Sequence, residues 1–336
     1  MNNQPVIGVL LGDPTGIGPE IVAKLLAQPE VSKGVPVVVI GDQRLFKMGQ
    51  EVAGVDLPFP VIQSIDEASF EEATPVVLDY PTLAPEEVTY KRVSAKAGKS
   101  VYETLLFALD LAQAEKINGI VFGPFHKEAM GLGGCPFHSE FELFKDKFDR
   151  PNVYGEINIL DELWTTRVTS HIALKEVSAL ITQERVYRTI GVLNAELQAF
   201  GLEKPHLAVT ALNPHAGEGG MFGREEIDVI TPAIEQAREA GIYVDGPFPA
   251  DTIFRRVEKD NFNGIISMYH DQGQVATKLL GFERGVTLHG GMPIPITTPA
   301  HGTAYGRAGE NRASAEAMIR AFEIGCTLAK NKLKAA

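Results

Sequence analysis

The sequence predicts an α/β protein with a mostly parallel sheet, divided into two domains. Short apolar runs rich in Val and Ile, bounded by Gly, Pro, Asn or Asp, recur along the chain as buried strands do. Stretches with helical spacing lie between them, and a parallel pair needs such a crossover. The length of 336 residues corresponds to two domains at roughly 150 residues each. Such a chain can bury a large core without disulfide or metal staples.

In chain order, Val6–Leu11 reads as the first strand. It opens through a Gly-rich loop into a helix over Pro19–Gln28, with Pro at the first helical position. Val35–Ile40 and Pro75–Leu78 follow as strands. The helix Ser94–Glu115 then brings Val101, Leu105, Ala108 and Ala112 near one face and leads to the strand Gly119–Phe122. Gly131–Arg150, with Gly133-Gly134 and Pro136, is irregular and reads as a crossing between domains. Beyond it come the strands Leu207–Leu212 and Gly264–Met268, and a helix over Glu225–Ala240 whose acidic start suits the helix dipole. A helix over His270–Leu280 and a closing helix over Ala313–Leu333 complete the pattern. The last helix must pack on a sheet, so the first domain is expected to be discontinuous: 1–128 plus 291–336, with 129–290 as the second. No repeat, low-complexity segment or Ser/Gly linker marks the boundary.

Hydrophobic residues at 44% and charged residues at 22% are ordinary for a soluble globular protein. The formal charge of −12 argues against a broad nucleic-acid face and against adhesion to anionic membranes. It leaves room for an anionic small molecule held by local cations. No run approaches the roughly 20 apolar residues of a membrane span. Met1–Gln4 carries no basic side chain, and the apolar run after it is too short for a signal-peptide core. Cys135 and Cys326 lie far apart, so reduced thiols in a cytoplasmic, soluble protein are expected.

Several of the eight histidines sit where strands end, and parallel sheets bind ligands outside the carboxyl ends of their strands. His215 follows Leu207–Leu212 in Asn213-Pro-His-Ala-Gly-Glu-Gly-Gly220. His270 follows Gly264–Met268, and His171 ends the strand-like run Thr165–His171. Each is either a hydrogen-bonded turn residue or a ligand. Together, three neutral imidazoles suit one divalent first-row ion, although the long gaps match no local metal motif. The loop Gly12-Asp-Pro-Thr-Gly-Ile-Gly-Pro-Glu20 is either a tight strand-to-helix turn or an anion seat. It is neither a Rossmann fingerprint nor a Walker loop. Gly-x-Ser-x-Gly and Cys-x-x-Cys are absent. Lys278, on the His270 helix, is either a solvated lysine or a cation for an acidic substrate or a proton transfer. Asp251 either caps the helix after Gly246–Ala250 or stands near the ion.

These segments resemble the 4-hydroxythreonine-4-phosphate dehydrogenase family of vitamin B6 synthesis. The matching stretches are Gly12–Glu20, Gly123-Pro-Phe-His-Lys-Glu128, Thr169-Ser-His171, Leu212–Gly220, Gly246–Asp251, Tyr269-His-Asp-Gln-Gly273 and His301-Gly-Thr-Ala304, in the family's order and across nearly the whole chain. The resemblance implies a two-domain fold related to isocitrate and isopropylmalate dehydrogenases, with a mostly parallel sheet and a cleft between domains. It implies a homodimer with a shared active site. It implies oxidation of a secondary alcohol of a hydroxy acid with NAD or NADP, aided by one divalent ion (Zn, Co, Mn or Mg); where a carboxylate lies β to the new ketone, decarboxylation can follow. His171, His215 and His270 match the family's metal ligands, and Lys278 matches a substrate lysine. His301, Gly302 and Thr303 are expected near the cofactor.

The substrate side departs from the family. Aligned without gaps, its substrate-binding His-Thr pair falls on Glu140-Phe141, while a shift places His138-Ser139 there. Its Asn falls on Thr287 and its Arg on Ile296. Losing an Arg fork removes a strong charge-assisted contact. The expectation is a dehydrogenase with an altered substrate pocket. The alternatives are the vitamin B6 enzyme itself and a non-catalytic metal-binding regulator.

Overall fold

The computed structural model describes residues 4–70, 74–281 and 284–335, with residues 32–34 described in their backbone only. The first three residues of the N-terminal segment considered above therefore lie outside the described residues. The strands are β1 (Ile7–Leu10), β2 (Val37–Gly41), β3 (Val61–Ile62), β4 (Val76–Asp79), β5 (Gly119–Phe122), β6 (Glu156–Leu160), β7 (Leu163–Arg167), β8 (Leu207–Thr210), β9 (Val244–Phe248), β10 (Gly264–Ser267), β11 (Val286–His289) and β12 (Ile296–Pro299). They fall in two compact units, Met1–Asp149 with Met292–Ala336, and Arg150–Gly291.

The first unit is α/β with strand order β3-β4-β2-β1-β5-β12, every neighbouring pair parallel. Ile7, Val9, Val38, Ile40, Ile120 and Val121 are fully or almost fully buried, because helices cover the strands. The helix Ala95–Gln113 starts where the Ser94 hydroxyl accepts from the Ala97 N–H at 3.3 Å. Asp42 likewise caps Gln43–Ala53, which ends at Gly54 in the left-handed region.

The second unit has strand order β11-β6-β7-β10-β8-β9. β6 runs antiparallel to both β11 and β7, whereas β7, β10, β8 and β9 are mutually parallel. β9 contains Gly246 and Pro247, which an apolar-run criterion passes over; it lies at the edge of the unit, where Pro removes no needed ladder donor. β6, β7 and β11 mix Thr, Asn, Arg and His with apolar residues, so their burial was equally hard to read from the sequence.

The discontinuous first unit is as expected, but its boundary differs. Residues 129–149, assigned from the sequence to the second domain, pack with the first unit. The reason is close packing. Lys127–Leu132 approaches Ala95–Gln113 so tightly that a Cβ on Gly98 would meet the Ala129 carbonyl. Phe144 is fully buried, edge-on to Phe122 on β5 with ring centroids 6.3 Å apart.

Candidate active site

The parallel set β7-β10-β8-β9 delivers four chain segments to one sheet edge: Thr169-Ser170-His171 after β7, Tyr269-His270 after β10, Asn213-Pro214-His215 after β8 and Ala250-Asp251 after β9. Side-chain bonds stitch these ends together. Gln272 accepts from the Thr210 hydroxyl at 2.8 Å and the Met268 N–H at 2.7 Å, and it donates to the Ala211 carbonyl at 2.8 Å. It thus joins the ends of β8 and β10. The Thr169 hydroxyl donates to the Met268 carbonyl at 2.8 Å and joins β7 to β10.

The His171 and His270 rings come together, with centroids 5.6 Å apart and an interplanar angle of 44°. His270 Nδ1 pairs with the Asp271 carboxylate at 2.7 Å. His215 stands on a different kind of backbone. Residues 215–219 all have positive φ, a left-handed turn in which His215, Ala216 and Glu218 are not glycine. Such residues store strain that surrounding contacts must hold. Buried Glu226 anchors the chain just before this turn: Oε1 accepts from the N–H groups of Leu212 and Asn213 at 2.9 and 2.8 Å, and Oε2 accepts from the Asn213 amide at 3.0 Å. The Ser178 hydroxyl and the Asn213 amide donate to Glu225 and hold its carboxyl below the usual range. The sequence suggested only a dipole role for this acidic turn.

Three imidazoles on adjacent strand ends fit a borderline divalent ion in donor type and in strand position. Among the described residues, no three His, Cys, Asp or Glu side chains stand close enough to share one. The structure gathers His171 with His270 and leaves His215 on its strained turn.

The other predicted substrate positions have varied surroundings. Lys278 lies exposed on the helix His270–Gly281, and Asp251 lies exposed on the short helix Ala250–Ile253. Thr287 is buried in β11, where its hydroxyl accepts from Asn158 Nδ2 at 3.1 Å. Ile296 is fully buried in β12 and offers no surface to a ligand. In the first unit, His138 and Ser139 open the helix Glu140–Lys147: the His138 N–H donates to Glu142 at 3.0 Å and the Glu142 N–H to the Ser139 hydroxyl at 3.2 Å, a reciprocal cap. Glu140 pairs with Lys127 at 3.7 Å, and Lys145 lies 6.0 Å from the Phe141 ring centre.

The same unit gathers a second loop cluster at the carboxyl ends of β1, β5 and β12. The Asp13 N–H donates to the Pro124 carbonyl at 3.0 Å and the Ile17 N–H to the Thr303 carbonyl at 3.1 Å. A Cβ on Gly16 would sit 2.7 Å from that carbonyl, so this glycine is needed for the approach of the two backbones. Thr303 is buried in this contact, whereas His301 and Gly302 keep solvent access. Tyr305 donates to Asp13 Oδ2 at 3.2 Å and stacks on His126 at 5.1 Å. Burial first, with the Asp13 charge adding, pushes its hydroxyl up to about 12.

Residues 33–325 match the family described as pyridoxal phosphate biosynthetic protein PdxA. A Pseudomonas aeruginosa relative, provisionally named 4-hydroxythreonine-4-phosphate dehydrogenase 2, is 44% identical over 330 residues, covering 98% of both chains. A Clostridium botulinum relative, provisionally named D-threonate 4-phosphate dehydrogenase, is 35% identical over 326 residues, covering 96% of this chain and 97% of its own. The crystal structure of a 4-hydroxythreonine-4-phosphate dehydrogenase from Klebsiella pneumoniae superposes with a TM-score of 0.81 at 34% identity, covering 97% of this chain and 98% of that one. Nearly full-length matches at these identities make this chain a member of the PdxA family, an oxidoreductase acting on a CH–OH group with a nicotinamide cofactor.

Proposed function

We propose that the chain oxidises the secondary alcohol of a small four-carbon hydroxy-acid phosphate, of the kind named for its relatives, in a pocket rebuilt relative to the vitamin B6 enzyme. The observation that carries this reading is that His171, His270, His215 and Asp251 each follow one of four neighbouring parallel strands on the same side of the sheet, with the His171 and His270 rings paired. The rebuilt wall is supported by Thr287, bonded inside the sheet, and by Ile296, buried in the core.

The oxidation transfers a hydride from the carbinol carbon to the nicotinamide ring and a proton from the hydroxyl to a base. A divalent ion held by His171, His270 and His215 would lower the hydroxyl pKa and stabilise the alkoxide. Asp251, which follows β9 on the same side of the sheet, takes the proton in this reading. Lys278 supplies a cation for the substrate's anionic end. Oxidation of a carbon β to a carboxylate leaves a β-keto acid, whose C–C electrons pass to an enolate as CO2 departs. His301, Gly302 and Thr303 form the cofactor side with the Gly12–Gly18 loop, on the support of the Ile17–Thr303 bond.

Two copies of the chain are proposed to act together. Val275, Leu279 and Leu280 are 57, 83 and 53% exposed on the helix that bears His270 and Lys278, an apolar face a second copy would cover. Light scattering on the eluted protein checks this, and a monomer would remove it. The substrate test is NADH or NADPH formation by cobalt- or zinc-loaded protein. 4-Hydroxythreonine 4-phosphate, D-threonate and D-erythronate 4-phosphates and the unphosphorylated acids form the panel, with CO2 release measured in parallel. The proposal expects turnover of a threonate- or erythronate-type phosphate. Faster turnover of 4-hydroxythreonine 4-phosphate assigns the vitamin B6 step instead, and silence across the panel supports a non-catalytic homologue.

A further inference from the structure

One face of β11-β6-β7 carries a run of polar residues in a place where apolar side chains are the norm. Asn158 on β6 stands in register with Thr287 on β11 and Thr165 on β7, and Arg167 lies two residues beyond Thr165 on the same face. The Arg167 side chain is only 4% exposed. A buried guanidinium is costly unless each contact is made, and here they are made in three directions. Nη2 pairs with Glu156 Oε1 at 2.8 Å, Nη1 donates to Asn158 Oδ1, and Nε donates to the Ser170 hydroxyl at 3.1 Å. Asn158 Oδ1 also accepts from Gln274 Nε2.

The two ends of this network matter. Ser170 is the residue before His171. Gln274 is one helical turn after His270 on the same helix, so its side chain shares that residue's flank. One guanidinium and one carboxamide therefore tie both imidazole-bearing segments to the rigid middle of the sheet.

We propose that Arg167, acting through Ser170 and through Asn158 with Gln274, is a positioning residue that sets the distance and tilt of His171 and His270. It touches neither substrate nor ion. This role rests on the reading that the imidazole pair holds a divalent ion. Partners of this kind fix ligand orientation, and their loss typically weakens metal affinity by about 10- to 100-fold. A network of this extent also explains why the polar face is retained: satisfied buried polar groups specify one arrangement.

The test measures cobalt affinity of the full-length protein by calorimetric titration, together with the visible absorption of the bound Co²⁺. The melting temperature of the metal-free protein is the control. Arg167→Leu is expected to weaken cobalt binding about 10- to 100-fold and to change the cobalt spectrum, with partial recovery in Arg167→Lys. Ser170→Ala removes a single hydroxyl and keeps the fold testable should Arg167→Leu fail to fold; it is expected to weaken binding severalfold. Variants that melt lower yet bind cobalt with wild-type affinity and spectrum would overturn the positioning role alone. A wild-type protein that takes up no cobalt would overturn the metal reading itself and this inference with it.

Discussion

The rings of His171 and His270 stand 5.6 Å apart, although nearly one hundred residues of chain, with β8 and β9, lie between them. Parallel pairing of β7 with β10 brings them together, since equal strand direction places both exits on one edge.

If this pair holds the ion, either ring is indispensable. His171→Ala and His270→Ala are each expected to lower kcat/KM on the order of 1000-fold, through loss of several kcal/mol of charge stabilisation. The nicotinamide cofactor KM should stay within about twofold in a steady-state titration, because its proposed side lies in the other unit's loops. Full activity in either variant would contradict the metal assignment.

Ala216 tests the strain beneath His215. Its φ of 54° is one that an L side chain adopts at a cost and glycine adopts freely. Ala216→Gly is therefore expected to raise stability by about 0.5–1 kcal/mol despite the added freedom of the unfolded chain. Thermal denaturation of the metal-free protein reads the gain. The same change should weaken divalent-ion binding, since a looser turn presents His215 less often.

Lys278→Ala separates substrate gripping from proton transfer. A charge-assisted hydrogen bond is worth about 1.5–3 kcal/mol, so KM for a phosphorylated substrate should rise on the order of 10- to 100-fold. kcat and its pH profile should change little. A fall in kcat with loss of one limb of the pH profile would give the proton to Lys278 instead of Asp251.

Asp42 makes stability depend on acid. Burial acts to raise its pKa, but the Arg44 hydrogen bonds and charge outweigh burial and hold it below the ordinary value. A depressed carboxylate contributes stability that is present above the unfolded-state pKa and lost as pH falls through the folded-state value. Asp42→Asn should thus be less stable than wild type at pH 6, with the difference shrinking as pH falls below the ordinary Asp pKa of about 3.9. Urea midpoints across that range check it.

Much of the fold could be read from the sequence where burial is complete. β1, β2, β4, β5, β8 and β10 are short runs of Val, Ile and Leu, and each lies where the apolar pattern placed it. β6 and β11 escaped, and β7 was read only in its second half as the run Thr165–His171, because Glu156, Asn158, Arg167 and Thr287 are paired by hydrogen bonding across strands that no local window contains. β12 escaped because Pro293 and Pro295 sit just before it. The histidines at strand ends were visible as types and positions. Gln272, present only as part of a matching stretch, and Glu226, present only as part of an acidic helix start, gave no hint that they shape the loops that carry His270 and His215, since their partners lie far away in the chain or belong to the backbone.

The interrupted first unit also sets an order of events during synthesis. Arg150–Gly291 is a contiguous stretch that can fold as soon as it leaves the ribosome. The earlier residues cannot finish, because β5 has an open side until Ile296–Pro299 arrives to pair with it and Glu316–Ala335 to cover that pair. An open parallel edge invites pairing with other chains. The nascent protein therefore carries its sticky half-sheet through the whole translation of the second unit, and pausing or truncation after residue 291 should yield aggregates instead of a smaller soluble enzyme.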